Sequence, residues 1–330
     1  MPFDTAIPII NFAAFTADKE QDRRNIGSDL FNAFRTVGFC YIKNLPIPPA
    51  LISQSFSLSR QFFSLPESSK LLAPHPDSGT HQRGYSAVGR EKISLYPGAK
   101  TDTPVFECKE SFDIGREGDS IQPNIWPPED LVPGFRDGSM VLFKTMRAAA
   151  MMVMESLALG LGLEEGFFDD YHSSEQCCNQ LRFLHYPDVP AERLSAGNVE
   201  RIVEHTDKGT LTLLLQEDDG VAGLEVEING EWTQVPVVPG AVLVNIGDLL
   251  QMWSNDALKS TRHRVPVPKQ TVSGKWGTER YSIPYFVAVD RGKIVECLKT
   301  CHGTERPKKY EAVDAWDYID SVMSKAYDEY

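Results

Sequence analysis

The stretch that decides the fold is Arg201–Leu214, RIVEHTDKGTLTLL. Its apolar beginning predicts a strand, and if that strand continues, His205 and Asp207 project to the same face, because alternate residues of a strand share a face. His263 lies far downstream in a second short apolar run. Two imidazoles and one carboxylate on one face of a metal ion, with the other positions open, suit non-haem Fe(II) and oxygen chemistry.

The His-x-Asp spacing alone is weak evidence, because a chain with seven histidines can show it by accident. A second pair of residues strengthens the prediction of a site. Arg280 and Ser282 are two residues apart and therefore share one face of a later strand. A guanidinium binds a carboxylate through two parallel hydrogen bonds, and a neighbouring hydroxyl adds one more. The two pairs together predict an organic acid bound next to a metal ion.

Around these residues the chain alternates short apolar runs with turn residues, which predicts an antiparallel β sandwich or barrel. Asn229-Gly230 is a strong hairpin signal between two of the runs, since both positions tolerate positive φ. The predicted strands are 180–186, 210–216, 224–228, 232–235, 241–246, 261–267 and 280–289.

The first half of the chain is mostly helical in pattern, with an apolar entry strand at 7–10 and a buried strand at 38–42. Apolar residues three and four apart predict a helix over 21–36, a second helix follows Pro48, and 133–163 has the composition of one long helix. A last helical stretch, 312–330, should pack back on the body. We therefore expect an all-β core with flanking helices (α+β), divided into a helical region (1–175), the β core (176–292) and a C-terminal extension with a helix (293–330).

Composition excludes several classes of protein. The formal charge of the 330 residues is −13, which disfavours nucleic acid and anionic membranes as partners. The most apolar stretch, Ala148–Leu163, is too short and too polar to span a bilayer, and no secretory signal is visible. Six cysteines without paired spacing are typical of reduced thiols, so we expect a cytoplasmic protein. The sequence leaves the oligomeric state open.

The order of motifs along the chain resembles the Fe(II)/2-oxoglutarate-dependent dioxygenases of the isopenicillin N synthase-like group. The resemblance extends into the N-terminal half, through Gly38–Asn44 and Asn124–Pro127 among others, and so covers nearly the whole chain. In the C-terminal half it rests on 205–214, 223–226, 245–251, 259–265 and 280–282.

The resemblance implies a distorted double-stranded β-helix, or jelly roll, with His205, Asp207 and His263 as iron ligands. Arg280 and Ser282 would bind the distal carboxylate of 2-oxoglutarate, and Tyr186 would add a hydrogen bond. The implied reaction consumes O2 and 2-oxoglutarate, releases succinate and CO2, and oxidises a small organic molecule by hydroxylation, desaturation or ring rearrangement or expansion. The relatives that this chain resembles act on secondary metabolites.

Further candidates concern the organic substrate. Arg182 shares a strand face with Tyr186, which favours either a cationic substrate anchor or a structural ion pair. Phe286, Leu213 and Val226 are candidate substrate contacts, with packing in the barrel core as the competing interpretation. Two rival functions remain at this point: an oxidase of the same fold that does not use 2-oxoglutarate, and a non-catalytic binding protein on a jelly roll.

Overall fold

The computed structural model describes residues 6–15, 20–77, 80–96, 105–189, 198–217, 223–267 and 279–327. The strands are β1 (Ile9–Asn11), β2 (Phe39–Lys43), β3 (Gly84–Ser86), β4 (Phe106–Glu107), β5 (Glu110–Ile114), β6 (Gln180–Tyr186), β7 (Val199–Glu200), β8 (Ile202–His205), β9 (Leu211–Gln216), β10 (Glu225–Ile228), β11 (Glu231–Gln234), β12 (Ala241–Ile246), β13 (His263–Val265), β14 (Arg280–Val287), β15 (Ile294–Val295) and β16 (Val313–Asp314). The α-helices are α1 (Glu20–Thr36), α2 (Pro49–Phe63), α3 (Glu67–Lys70), α4 (Phe135–Gly160), α5 (Asp248–Trp253) and α6 (Ala315–Met323).

Two sheets form the β core. The larger has the order β1-β2-β12-β9-β14-β6-β5-β3, and the smaller has the order β11-β10-β13-β8. Apolar side chains of both sheets pack together between them, Tyr186 and Leu243 from the larger and Val226 and Val265 from the smaller. The pairing is antiparallel except between β1 and β2 in these sheets. The predicted jelly-roll core with flanking helices is confirmed.

The opposite face of the larger sheet is covered by helices. Because side chains alternate along a strand, Leu213 and Ile283 point to this side and pack in a second core with residues of α4 such as Leu142 and Val153. Two glycines let α1 and α4 approach closely: a Cβ at Gly27 would lie 2.4 Å from the Ser156 carbonyl oxygen. The helices therefore fix the sheet from behind, while its other face is left for the site.

The region before residue 175 holds strands as well as helices, among them β1 and β2 where strands were predicted at 7–10 and 38–42. It contributes β1, β2, β3 and β5, which are four of the eight strands of the larger sheet. The expected boundary at 175/176 thus separates residues that belong to one sheet.

The C-terminal helix α6 begins at a capping residue, since the Asp314 Oδ1 atom accepts hydrogen bonds from the backbone N–H groups of Trp316 and Asp317. It packs back on the core through Ala315 and Ile319, as predicted, and ends at Met323 rather than continuing as one α-helix. Among the described residues, no helix has both the length and the apolar character needed to cross a bilayer.

Candidate active site

The three predicted ligands meet at the edge of the smaller sheet. His205 ends β8, Asp207 follows it by two residues, and His263 begins β13, directly opposite His205 in the antiparallel register. The Asp207 Oδ1 atom lies 3.9 Å from the Nε2 atom of His205 and 3.6 Å from that of His263. One potential ligand atom from each side chain lies within 4.8 Å of the others.

Hydrogen bonds orient all three side chains. The Nδ1 atoms of His205 and His263 contact the carbonyl oxygens of Val203 and Thr261 at 2.8 and 3.1 Å. A carbonyl only accepts, so each Nδ1 carries the proton and each Nε2 offers a lone pair to the site.

The carboxylate is held on one side only. Its Oδ2 atom accepts hydrogen bonds from the Thr212 hydroxyl and, at 2.7 Å, from the Asn245 amide. Thr212 and Asn245 are register partners on β9 and β12, so adjacent strands bind the same oxygen. This leaves the Oδ1 atom of Asp207 for a metal ion.

The electrostatics of the group agree with this donor set. Burial and, after it, the charge of the neighbouring His263 imidazole lower the pKa of His205 to about 3. Burial by itself would raise the pKa of Asp207, but both imidazoles and its two hydrogen bonds outweigh burial and hold that pKa below its usual range. One carboxylate and neutral imidazole nitrogens are the donors that suit Fe(II), so the residues present fit this metal.

A cavity of about 490 Å³ adjoins the three ligands between the two sheets. Arg280 and Ser282 on β14 and Tyr186 on β6 line it, and the Arg280 Nη1 atom donates to the Ser282 hydroxyl at 3.3 Å. The Arg280 guanidinium lies 5.0 Å from the centre of the Tyr186 ring. Arg280 is 3% exposed and forms no ion pair with any acid of the described chain. A buried cation of this kind requires an anionic ligand.

A second cavity, of about 830 Å³, adjoins the ligands from the other side. His205, Asp207 and Phe286 line both cavities. Three apolar side chains of the C-terminal helix α6 form part of its wall: Trp316, Ile319 and Met323.

Comparison with known proteins identifies the family. Residues 175–289 match the sequence model of the 2OG-Fe(II) oxygenase superfamily, and residues 7–129 match that described as non-haem dioxygenase in morphine synthesis N-terminal. The 2-oxoglutarate-dependent dioxygenase gloF of Glarea lozoyensis is 36% identical over 98% of this chain and 99% of its own length. The chain belongs to the 2OG-Fe(II) oxygenase superfamily.

Other relatives agree with this assignment. The 2-oxoglutarate-Fe(II) type oxidoreductase ppzD of Metarhizium rileyi is 35% identical, covering 96% of this chain and 90% of the relative. The proline hydroxylase buaE of Petromyces alliaceus is 37% identical, covering 90% and 92%. The solved structure of a full-length Neurospora crassa protein in complex with alpha-KG and thymine superposes with a TM-score of 0.86 at 34% identity, covering 97% of each chain. The chain is thus an enzyme that uses Fe(II) and 2-oxoglutarate, and neither rival function is favoured.

Arg182 is at the wall of the oxygenase's second cavity, but acids already surround it. Its Nε and Nη2 atoms donate to the two carboxylate oxygens of Asp113 at 2.6 and 3.0 Å, and Nη1 donates to Glu91 at 3.0 Å. Burial would lower the pKa of Arg182, but Asp113 and Glu91 outweigh burial and hold that pKa well above its usual value. The interpretation as a structural ion pair fits these contacts better than that of a substrate anchor.

The three apolar candidates of the oxygenase have different positions. Phe286 lines both cavities and is the one placed to touch a substrate. Val226 is fully buried and packs between the sheets, without lining either cavity. The prediction of Leu213 as a substrate contact is wrong. Its neighbours Thr212 and Leu214 line the smaller cavity, so Leu213 points to the opposite, helix-covered side of the larger sheet.

The sequence prediction missed three polar residues of the site. Thr212 and Asn245 orient Asp207, and Arg201, fully buried, has its guanidinium 5.6 Å from the centre of the Tyr186 ring. Burial and the charge of Arg280 lower the pKa of Arg201 to about 10. Thr212 could have been predicted, because it lies on the strand face opposite to that of the apolar Leu213. Asn245 and Arg201 could not, since nothing in the sequence shows which strands they pair with.

Proposed function

We propose that His205, Asp207 and His263 hold Fe(II), and that Arg280 and Ser282 bind the distal carboxylate of 2-oxoglutarate. The observation that carries the proposal is a convergent donor set beside a buried guanidinium that no acid of the described chain neutralises. Bound iron supplies the activation of O2, coupled to the oxidative decarboxylation of 2-oxoglutarate to succinate and CO2.

The protein's own share is binding and orientation. Thr212 and Asn245 keep the Oδ2 atom of Asp207 occupied, which directs Oδ1 at the metal. Arg280 neutralises a carboxylate in the smaller cavity, and Tyr186 lies against its guanidinium. Phe286 stands where the two cavities adjoin, so the organic substrate in the larger cavity lies beside the metal without entering the co-substrate cavity.

The substrate we propose is a small secondary metabolite that is hydroxylated, desaturated or rearranged. Hydroxylation has the additional support of the relative named proline hydroxylase. We also propose a cytoplasmic enzyme, because all six cysteines are free and buried, which is typical of proteins in a reducing compartment.

Anaerobic titration of the Fe(II)-loaded protein with 2-oxoglutarate tests the proposal. A metal-to-ligand charge-transfer absorption should appear in the wild type, and Asp207→Ala and His263→Ala should abolish it. Arg90→Gln changes an exposed arginine that pairs with Asp77 and serves as the matched control. Absence of the band in iron-loaded wild type, or its persistence in both ligand variants, would refute the assignment.

A further inference from the structure

The larger cavity presents three cationic side chains, and two of them are neutralised within the protein. Arg182 binds Asp113 and Glu91, and the Lys208 ammonium group lies 2.7 Å from the Asp248 carboxylate. The third cation, Arg83, forms no ion pair within the described part of the chain, although it is only 2% exposed. The two acids whose charges act most strongly on Arg83 are already bound to other cations: Asp113 to Arg182, and Asp119 to Arg291.

The hydrogen bonds of Arg83 are equally incomplete. Its Nη1 atom donates to the Gln82 carbonyl oxygen at 2.6 Å, while its buried Nε atom has no partner among the described residues. Burial lowers the pKa of Arg83 to about 10, the direction expected for a guanidinium taken out of water without a counter-ion. Such a group costs stability unless a ligand completes it.

The backbone makes room for this guanidinium. A Cβ atom at Gly115 would lie 2.1 Å from the Arg83 Nη2 atom and 2.4 Å from its Cζ atom, so only glycine allows the group to lie there. Gly115 is itself fixed by Asn124, whose amide accepts from the Gly115 N–H at 2.7 Å and donates to the Gly115 carbonyl oxygen at 3.0 Å. The position of Arg83 is therefore built into the cavity wall.

We propose that Arg83 binds a carboxylate of the organic substrate, so that the substrate class is a small carboxylic acid. This inference rests on the proposed function of the adjoining metal centre. A carboxylate supplies the missing negative charge beside the guanidinium. The rest of the acid is mainly apolar, because apolar and aromatic side chains form a large part of the wall: Ile93, Phe286, Trp316, Ile319 and Met323. Polar side chains such as Gln122, Gln180 and Asp320 complete it.

The test uses the anaerobic holoenzyme with Fe(II) and 2-oxoglutarate, whose charge-transfer band shifts when a substrate displaces metal-bound water. Benzoic acid, 3-phenylpropanoic acid, hexanoic acid and L-leucine are titrated, each beside its primary amide. At least one acid should shift the band at a concentration tenfold or more below that of its amide. Arg83→Gln should raise the half-saturating concentration of that acid at least about 30-fold, Arg83→Lys should restore part of the loss, and Arg90→Gln should match the wild type.

Equal responses to acids and amides, or unchanged binding in Arg83→Gln, would overturn the inference. If no acid shifts the band, the melting temperatures of the metal-free wild type and of metal-free Arg83→Met decide whether Arg83 is a structural arginine. Replacing an unpaired buried cation by an apolar side chain should leave the melting temperature of Arg83→Met equal to or above that of the wild type, whereas a fall of several degrees shows a structural arginine and overturns the inference. Failure of the proposed function is distinct, because then the band itself is absent from the wild type with 2-oxoglutarate.

Discussion

Replacing Arg182 should destabilise the fold before it affects substrate recognition. In Arg182→Leu, Glu91 keeps Lys109 as a partner, but Asp113, fully buried, keeps only neutral donors such as the Gln180 amide at 2.7 Å. One uncompensated buried carboxylate costs about 3 to 5 kcal/mol. We therefore expect the free energy of unfolding to fall by about that amount.

Urea denaturation of the metal-free protein measures this loss, since ligand binding then contributes nothing. Adding Asp113→Asn to Arg182→Leu removes the orphaned charge and should recover about 2 kcal/mol or more of the loss. Arg90→Leu, which breaks an exposed ion pair with Asp77, should change stability by less than about 0.5 kcal/mol.

The reasoning would be refuted if Arg182→Leu unfolded at the wild-type urea concentration, still bound 2-oxoglutarate, and lost substrate-dependent turnover. That combination of results would make Arg182 the substrate anchor and its contacts with Asp113 and Glu91 incidental.

Three further predictions concern the co-substrate site, a metal ligand and a buried acid. Arg280→Gln should raise the 2-oxoglutarate concentration for half-maximal charge-transfer absorption at least about 30-fold with iron still bound; an unchanged requirement would remove Arg280 from the co-substrate site. Asn245→Leu should weaken iron binding about 10- to 100-fold in chelator competition, because Asp207 loses an orienting hydrogen bond; equal affinity would contradict that role. Burial raises the pKa of Glu107 to about 7. Between the ordinary glutamate pKa of about 4.5 and this value, Glu107 therefore keeps its proton in the folded state but loses it in the unfolded chain. The free energy of unfolding should therefore fall as the pH rises from about 4.5 to 7, and should fall less in Glu107→Gln. Urea denaturation across this pH range measures both proteins, and an equal fall in the two would refute the role of Glu107.

The strands of the core could be predicted where apolar runs end at turn residues. The predictions 180–186 and 241–246 match β6 and β12 at both ends, and the hairpin at Asn229-Gly230 has positive φ at both positions, 52° and 86°. The signal is local in each of these cases. It comes from side-chain alternation or from a backbone conformation that few residues adopt.

Pairings between distant residues could not be predicted in this way. Strand β2 joins the larger sheet through β12, with Phe39 opposite Asn245, and nothing in the helical pattern of the first 175 residues indicates that partner. The pattern over 312–330 does not show where the last helix ends: it continues past Met323, where the α-helix gives way to a short 3-10 helix at Ser324–Tyr327.

The residues of the candidate site show the same difference between local signals and long-range pairing. His205 and Asp207 are expected together from their spacing of two residues on a continuing strand; β8 ends at His205, yet the two side chains still converge. The juxtaposition of His263 depends on the pairing of β13 with β8. Thr212 and Asn245 converge on Asp207 only because β9 and β12 are neighbours in register. Residues that bind one another across a sheet are thus visible in the sequence only where a whole motif is already known.

Arginine shows most clearly why residue type and strand face are insufficient. Arg182 and Arg280 lie on paired strands and line adjoining cavities, so alternation gives both the same expectation. They differ in their counter-ions: Asp113 and Glu91 neutralise Arg182, whereas Arg280 and Arg83 are buried without an acid among the described residues. Since an unpaired buried cation costs stability, a fold that keeps one gains from a ligand that completes it. We therefore propose that the pairing state of each buried arginine, rather than its place on a strand, separates structural arginines from ligand-binding ones in this oxygenase.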